Sequence, residues 1–196
     1  SNIEKHIHSD NYYSYNNNIY ICPCGQHYSS TTITPENWGF DARYYFENEG
    51  IKSKQIQQNG LTINTNRLRC GFIENEYINL SPKRQGAGEA YIEMYFDESV
   101  RKFDVNLSYW QSLDKLSSLD STAYLEVLNT ENKWVRATDL INDVNLSTDR
   151  THQETYSYNY VGNEIWGIRI TMTSPATGSR NLGRISLGNL TMIHTV

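Results

Sequence analysis

Five residues near the amino terminus carry the sharpest chemical pattern in the chain: His6 and His8, then Cys22 and Cys24, then His27. Along a strand, residues i and i+2 point the same way. His6 and His8 would therefore share one face, and Cys22 and Cys24 another. Asn16-Asn17-Asn18 is turn chemistry between the two pairs, and a hairpin there would bring two imidazoles and two thiols together. That donor set suits tetrahedral zinc, with His27 as a competing ligand. A closed site of this kind would be structural, stapling a segment too short to build its own core. The competing reading is a loose arm whose His and Cys face water. The third cysteine, Cys70, sits between Leu68 and Phe72 in strand-like sequence and reads as a plain buried thiol.

Catalytic patterns are scarce. The sequence has no G-x-S-x-G elbow and no H-E-x-x-H. Gly86-Ala87-Gly88 lacks the third glycine and the helix that a phosphate loop requires, so a hairpin turn is expected there. His152 and His194 stand alone in sequence and read as surface or strand-end residues. Glu74 with Glu76, or Asp114 with Asp120, could pair as the acids of a glycosidase, but 22 acidic residues produce such pairs by chance.

The aromatics offer a binding chemistry instead. A ring face packs on the apolar C–H face of a sugar, while nearby amides, acids and arginines take its hydroxyls. Trp110 ends a strand pattern and Trp134 follows a turn. Tyr91, Tyr95 and Tyr124 hold the outward phase of their strands. These five are the candidate ligand-binding residues. Core anchoring is the alternative for Trp134 and stands level with ligand binding for Trp110. Trp166 is expected in the core because it shares the phase of Ile168 and Ile170.

The elements that must position these rings are strands. Alternation places Phe103, Val105, Leu107 and Tyr109 on one face of 101–109, and Ile92, Met94 and Phe96 on one face of 90–96. The same holds for Ala123, Leu125 and Val127, and for Trp166, Ile168, Ile170 and Met172. Shorter strand signals lie at 61–64, 77–80, 134–137 and 154–160. Near the carboxyl terminus, Ile185 and Leu187 share one phase while Leu190 and Met192 take the other. One extra residue at Gly188-Asn189 would face all four inward, which is what a β-bulge does. Leu140, Ile141 and Val144 suit a single turn, and 40–57 fits neither pattern well. Many short strands between Asn, Gly, Ser and Asp turns predict an all-β antiparallel sandwich or jelly roll. The change of pattern near Pro35 divides the chain into a Cys/His-containing appendage with its linker (1–36) and a sandwich domain (37–196).

Bulk composition narrows the partners. The chain has 196 residues and a net charge of −5, and its basic residues form no stripe, which argues against nucleic acid. No stretch approaches about 20 apolar residues, so membrane insertion is not expected. Charged residues make up only 20%, with 15 Tyr and 4 Trp, a surface that hydrogen-bonds without charge and favours strands. The opening Ser1-Asn2 reads as a cloning remnant, so the chain is expected to be part of a larger multidomain protein.

Several stretches resemble β-sandwich modules of large secreted Gram-positive bacterial surface proteins. They are Gly86-Ala87-Gly88-Glu89, Val105-Asn106-Leu107-Ser108-Tyr109-Trp110 and Tyr124-Leu125-Glu126-Val127-Leu128 with Trp134. The closing run, Ser174-Pro175-Ala176-Thr177-Gly178-Ser179-Arg180-Asn181-Leu182-Gly183-Arg184-Ile185, belongs with them. The broader likeness is to galactose-binding-like and carbohydrate-binding jelly rolls, over about the last three-fifths of the chain. The amino-terminal piece resembles short H-x-H…C-x-C-G modules of the same bacteria. The resemblance implies an extracellular or cell-surface location and transfers no catalytic residue. A structural calcium is the second ion that such folds accommodate, though no acidic run here has its ligand spacing. The expected function is a non-catalytic accessory or adhesive module that binds carbohydrate or a cell-surface protein. The alternatives are a small jelly-roll glycoside hydrolase or lyase, and a structural spacer or surface-assembly domain.

Overall fold

A computed structural model describes residues 14–16, 19–21, 27–37, 54–58, 60–66, 68–73, 77–82, 88–112, 122–159, 164–174 and 184–195. These residues form two antiparallel sheets. Their strands, in chain order, are β1 (Ser14–Asn16), β2 (Ile19–Ile21), β3 (His27–Ile33), β4 (Lys54–Gln58), β5 (Leu61–Asn66), β6 (Leu68–Ile73) and β7 (Tyr77–Pro82). Then come β8 (Gly88–Val100), β9 (Lys102–Tyr109), β10 (Thr122–Leu128), β11 (Trp134–Asp139), β12 (Glu154–Asn159), β13 (Ile165–Ser174) and β14 (Ile185–Thr195). Short 3-10 turns lie at Pro35–Asn37 and Arg150–His152.

One sheet has the order β11-β10-β13-β8-β5-β4. The other is organised around β14. Along one side β14 pairs with β9, which in turn pairs with β12. On its other side Ile185 to Leu187 pair with β7, and Leu190 to Thr195 pair with β3. The sheet continues from β7 to β6, and from β3 through β2 to β1. The β1–β2 hairpin turns between Asn16 and Ile19, where the run of asparagines was expected to turn. The 1–36 segment thus contributes strands to this sheet, and Ile33 belongs to the core.

The alternation read from sequence is the alternation of burial. Phe103, Val105, Leu107, Ile92, Met94, Phe96, Ala123, Leu125 and Val127 are all buried in one core between the sheets. Each of these side chains larger than Ala123 contributes about 1.5–3 kcal/mol by leaving water. The bulge at Gly188-Asn189 is present. Register with β9 shifts between Leu187 and Leu190, so Ile185, Leu187, Leu190 and Met192 all face inward. A larger residue at Gly188 would displace the Gln153 side chain, since an added Cβ would run into its oxygen and lie 3.1 Å from Asn106 Cβ.

Two expectations are corrected. Trp166 is 38% exposed and lies outside the core. Register slips at this point: the step from Ile165 to Gly167 in β13 spans Val100 to Tyr95 in β8. Ile165 and Ile168 are both buried, and simple alternation fails between them, leaving Trp166 turned out. Gly88 opens β8, which lies in a different sheet from β7. β7 and β8 therefore do not pair as a hairpin.

Candidate glycan-binding face

The outward face of the six-stranded sheet gathers side chains from five strands. Register sets them in three parallel rows. The middle row runs Arg136–Glu126–Arg169–Glu93–Asn64 across β11, β10, β13, β8 and β5. One flanking row is Trp134–Leu128–Gly167–Tyr95. The other holds Tyr124, Thr171 and Tyr91. Four residues along a strand separate the two aromatic rows, about 13 Å at strand rise.

Trp134 reaches across two strands. Its ring lies over Gly167, where an added Cβ would stand 3.1 Å from Trp134 Cη2 and 2.7 Å from the Met94 carbonyl oxygen. On the far side it meets the Tyr95 ring edge to face, with centroids 5.8 Å apart. The absence of a side chain at Gly167 is what lets these two rings meet over the sheet. The Arg169 guanidinium sits 4.6 Å from the Trp134 ring centre and 5.9 Å from that of Tyr91. Arg136 covers the Tyr124 ring at 3.5 Å.

The middle row is an ion-pair network. Arg169 Nε donates to Glu126 Oε2 at 2.7 Å, and Thr171 Oγ1 donates to the same oxygen at 2.8 Å. Arg169 Nη1 lies 3.9 Å from Glu93 Oε2. Glu93 Oε1 accepts from Asn64 Nδ2 and from the Tyr95 hydroxyl, each at 3.3 Å. Burial pushes the Glu126 carboxyl up, but hydrogen bonds from Arg169 and Thr171, with the charges of Arg169 and Arg136, outweigh it and hold the carboxyl below its ordinary value. Burial, then the charge and hydrogen bond of Glu93, raises the Tyr95 hydroxyl, with partial relief from Arg169. Its proton stays in place as a donor.

Four of the five expected aromatics, Tyr91, Tyr95, Tyr124 and Trp134, thus share this face. Trp110 belongs to the other sheet, just beyond β9. It is 7% exposed; Arg150 covers its ring at 4.3 Å and Tyr77 meets it edge on. Its backbone N–H donates to the Arg184 carbonyl at 3.0 Å, and its own carbonyl accepts from Arg150 at 3.2 Å. Sequence reading missed Arg169, Glu126, Glu93 and Arg136. The available signal was their outward phase in the strands that carry the tyrosines.

His6, His8, Cys22 and Cys24 lie outside the described residues, as do the side chains of His27 and Cys70 and the pairs Glu74/Glu76 and Asp114/Asp120. Among the described residues no group of three or more His, Cys, Asp or Glu could hold a metal ion. His152 is exposed and bonded to Asp149, whereas His194 is buried.

No protein-family model matches the chain, and no curated protein matches it in sequence. Solved carbohydrate-binding modules align with it. A mutant of the family 29 module CBM29-2 aligns with a TM-score of 0.44 at 11% identity, over 84% of this chain and 91% of that one. A family 32 module of C. perfringens NanJ, in complex with galactose, gives 0.36 at 8% identity, over 85% and 93% of the two chains. A family two carbohydrate esterase from Cellvibrio japonicus gives 0.41 at 10% identity, over 86% of this chain and 34% of that one. These likenesses are distant, and the functional reading rests on the residues of the face.

Proposed function

We propose that this chain is a non-catalytic carbohydrate-binding module of an extracellular or surface-attached bacterial protein, and that the outward face of the six-stranded sheet takes the glycan. The observation that carries this reading is the Trp134 ring held over Gly167 against Tyr95, with Arg169 beside it. A half-buried ring on a sheet offers its face to sugar C–H groups, and the adjoining carboxylates, amide and guanidinium take hydroxyls. The middle row pairs two arginines with two glutamates, a balance that suits an uncharged glycan. A binding role is also favoured by Glu126. A glycosidase acid needs a raised carboxyl, and this one is lowered. A glycan array probed with the whole chain tests the reading. Hits on neutral glycans that vanish with Trp134→Ala support it, while an array without hits favours a spacer or assembly domain.

We further propose that His6, His8, Cys22 and Cys24 hold one structural tetrahedral zinc, with His27 competing for one of the histidine places. The support is the sequence spacing and the turn that β1 and β2 make. One equivalent of zinc in protein purified without a His tag is the expected result, and none would remove the site. Among the described residues, no helix is long and apolar enough to cross a membrane.

A further inference from the structure

β8 makes a detour. It pairs with β5 up to Phe96, opposite Leu61, and next pairs with β13 at Val100, opposite Ile165. The residues at 97–99 are pinned from both sheets. The Asp97 N–H donates to the Gly60 carbonyl at 3.1 Å, and just beyond the detour the Arg101 N–H donates to the Ile193 carbonyl at 2.8 Å. His194 Nδ1 lies 3.2 Å from the Ser99 carbonyl. Extra residues that re-aim side chains at a sheet margin are a recurrent feature of binding sites. Here they border an open cavity of about 180 Å³ lined by residues of both sheets.

The lining of this cavity has a definite chemistry. Leu61, Phe96 and Met192 are buried and make an apolar floor. His194 is 8% exposed and forms part of the wall. Because Nδ1 faces a carbonyl, it must donate, which leaves the lone pair on Nε2. Among the described residues the ring has no second hydrogen bond. Asp97 and Glu98 are exposed at the rim and, among the described residues, neither carboxylate takes part in a hydrogen bond or an ion pair. The polar side chains on offer are therefore two carboxylates, the His194 ring and the Thr31 hydroxyl, above an apolar floor, and the charge of both acids is negative.

We infer that this cavity is a second binding site, separate from the aromatic face, for a single amino-sugar unit with a free ammonium group. Its volume equals that of about six waters and falls below the usual range for drug-sized ligands. One sugar ring fits that space. An ammonium would form charge-assisted bonds to Asp97 and Glu98. A ring hydroxyl would donate to His194 Nε2, with the C–H face of the sugar on Phe96. A neutral hexose keeps the ring contact and loses the charge.

The test is an NMR titration of the full chain with glucosamine, and separately with glucose, following the Met192 methyl and His194 ring signals. Glucosamine should move both signals saturably. Glucose should bind about tenfold more weakly, the value of one charge-assisted hydrogen bond. The double variant Asp97→Asn, Glu98→Gln changes only exposed side chains and should melt with the wild type while losing about tenfold in glucosamine affinity. Unmoved Met192 and His194 signals, equal affinity for glucose, or wild-type affinity in the double variant would overturn the inference.

Discussion

At the residue scale the face depends on a residue with no side chain. Gly167 makes room for the Trp134 ring, and any Cβ there meets both the Met94 carbonyl and that ring. Gly167→Ala should therefore cost about 1–3 kcal/mol of stability, as overpacking does. It should also weaken glycan binding by displacing Trp134. Chemical denaturation and a binding isotherm on the same variant check both parts. The Tyr91, Tyr95 and Tyr124 positions were legible because period-2 alternation gives the outward phase. Trp110 was not, since what sets its burial is Arg150 and Tyr77, both remote in sequence. Trp166 was misread because a register slip defeats alternation, and its one local mark, Gly167 inside the strand, was not read as a bulge.

At the element scale, pairing order decides which charges meet. Arg136, Glu126, Arg169 and Glu93 come from four strands, and only the order β11-β10-β13-β8 sets them side by side. Strand existence and the β14 bulge could be read from residue phase, but strand order could not, because it depends on packing between distant segments. The row predicts a pH dependence. The ordinary Glu126 value is 4.5, and the folded carboxyl lies below it. On acidification the unfolded chain takes up this proton first. The stabilisation from Glu126 is therefore complete above the ordinary value and is lost as pH falls through the lowered one. Glu126→Gln should remove about 1.5–3 kcal/mol at neutral pH, the range for hydrogen bonds to a charged group. It should also flatten the acid limb of melting temperature against pH. An acid limb unchanged in the variant would show that Glu126 is not a determinant of acid stability.

At the scale of the whole molecule, two sheets close over one core and leave two outward faces of different character. The six-stranded sheet shows rings and paired charges. The sheet around β14 shows short polar groups such as the hydrogen-bonded pairs Thr32–Thr191 and Thr155–Asn106. Among the described residues, the first presents the apolar ring surface that sugar C–H groups require. Trp134 should thus be a hot spot, with truncation costing about 2 kcal/mol or more of binding energy. Trp110 should matter for folding alone. The most direct measurement is isothermal titration of an array-selected neutral oligosaccharide into the wild type, Trp134→Ala and Trp110→Phe. Binding that is lost in the first variant and kept in the second is the predicted result. Wild-type affinity in Trp134→Ala would contradict the assignment of the face.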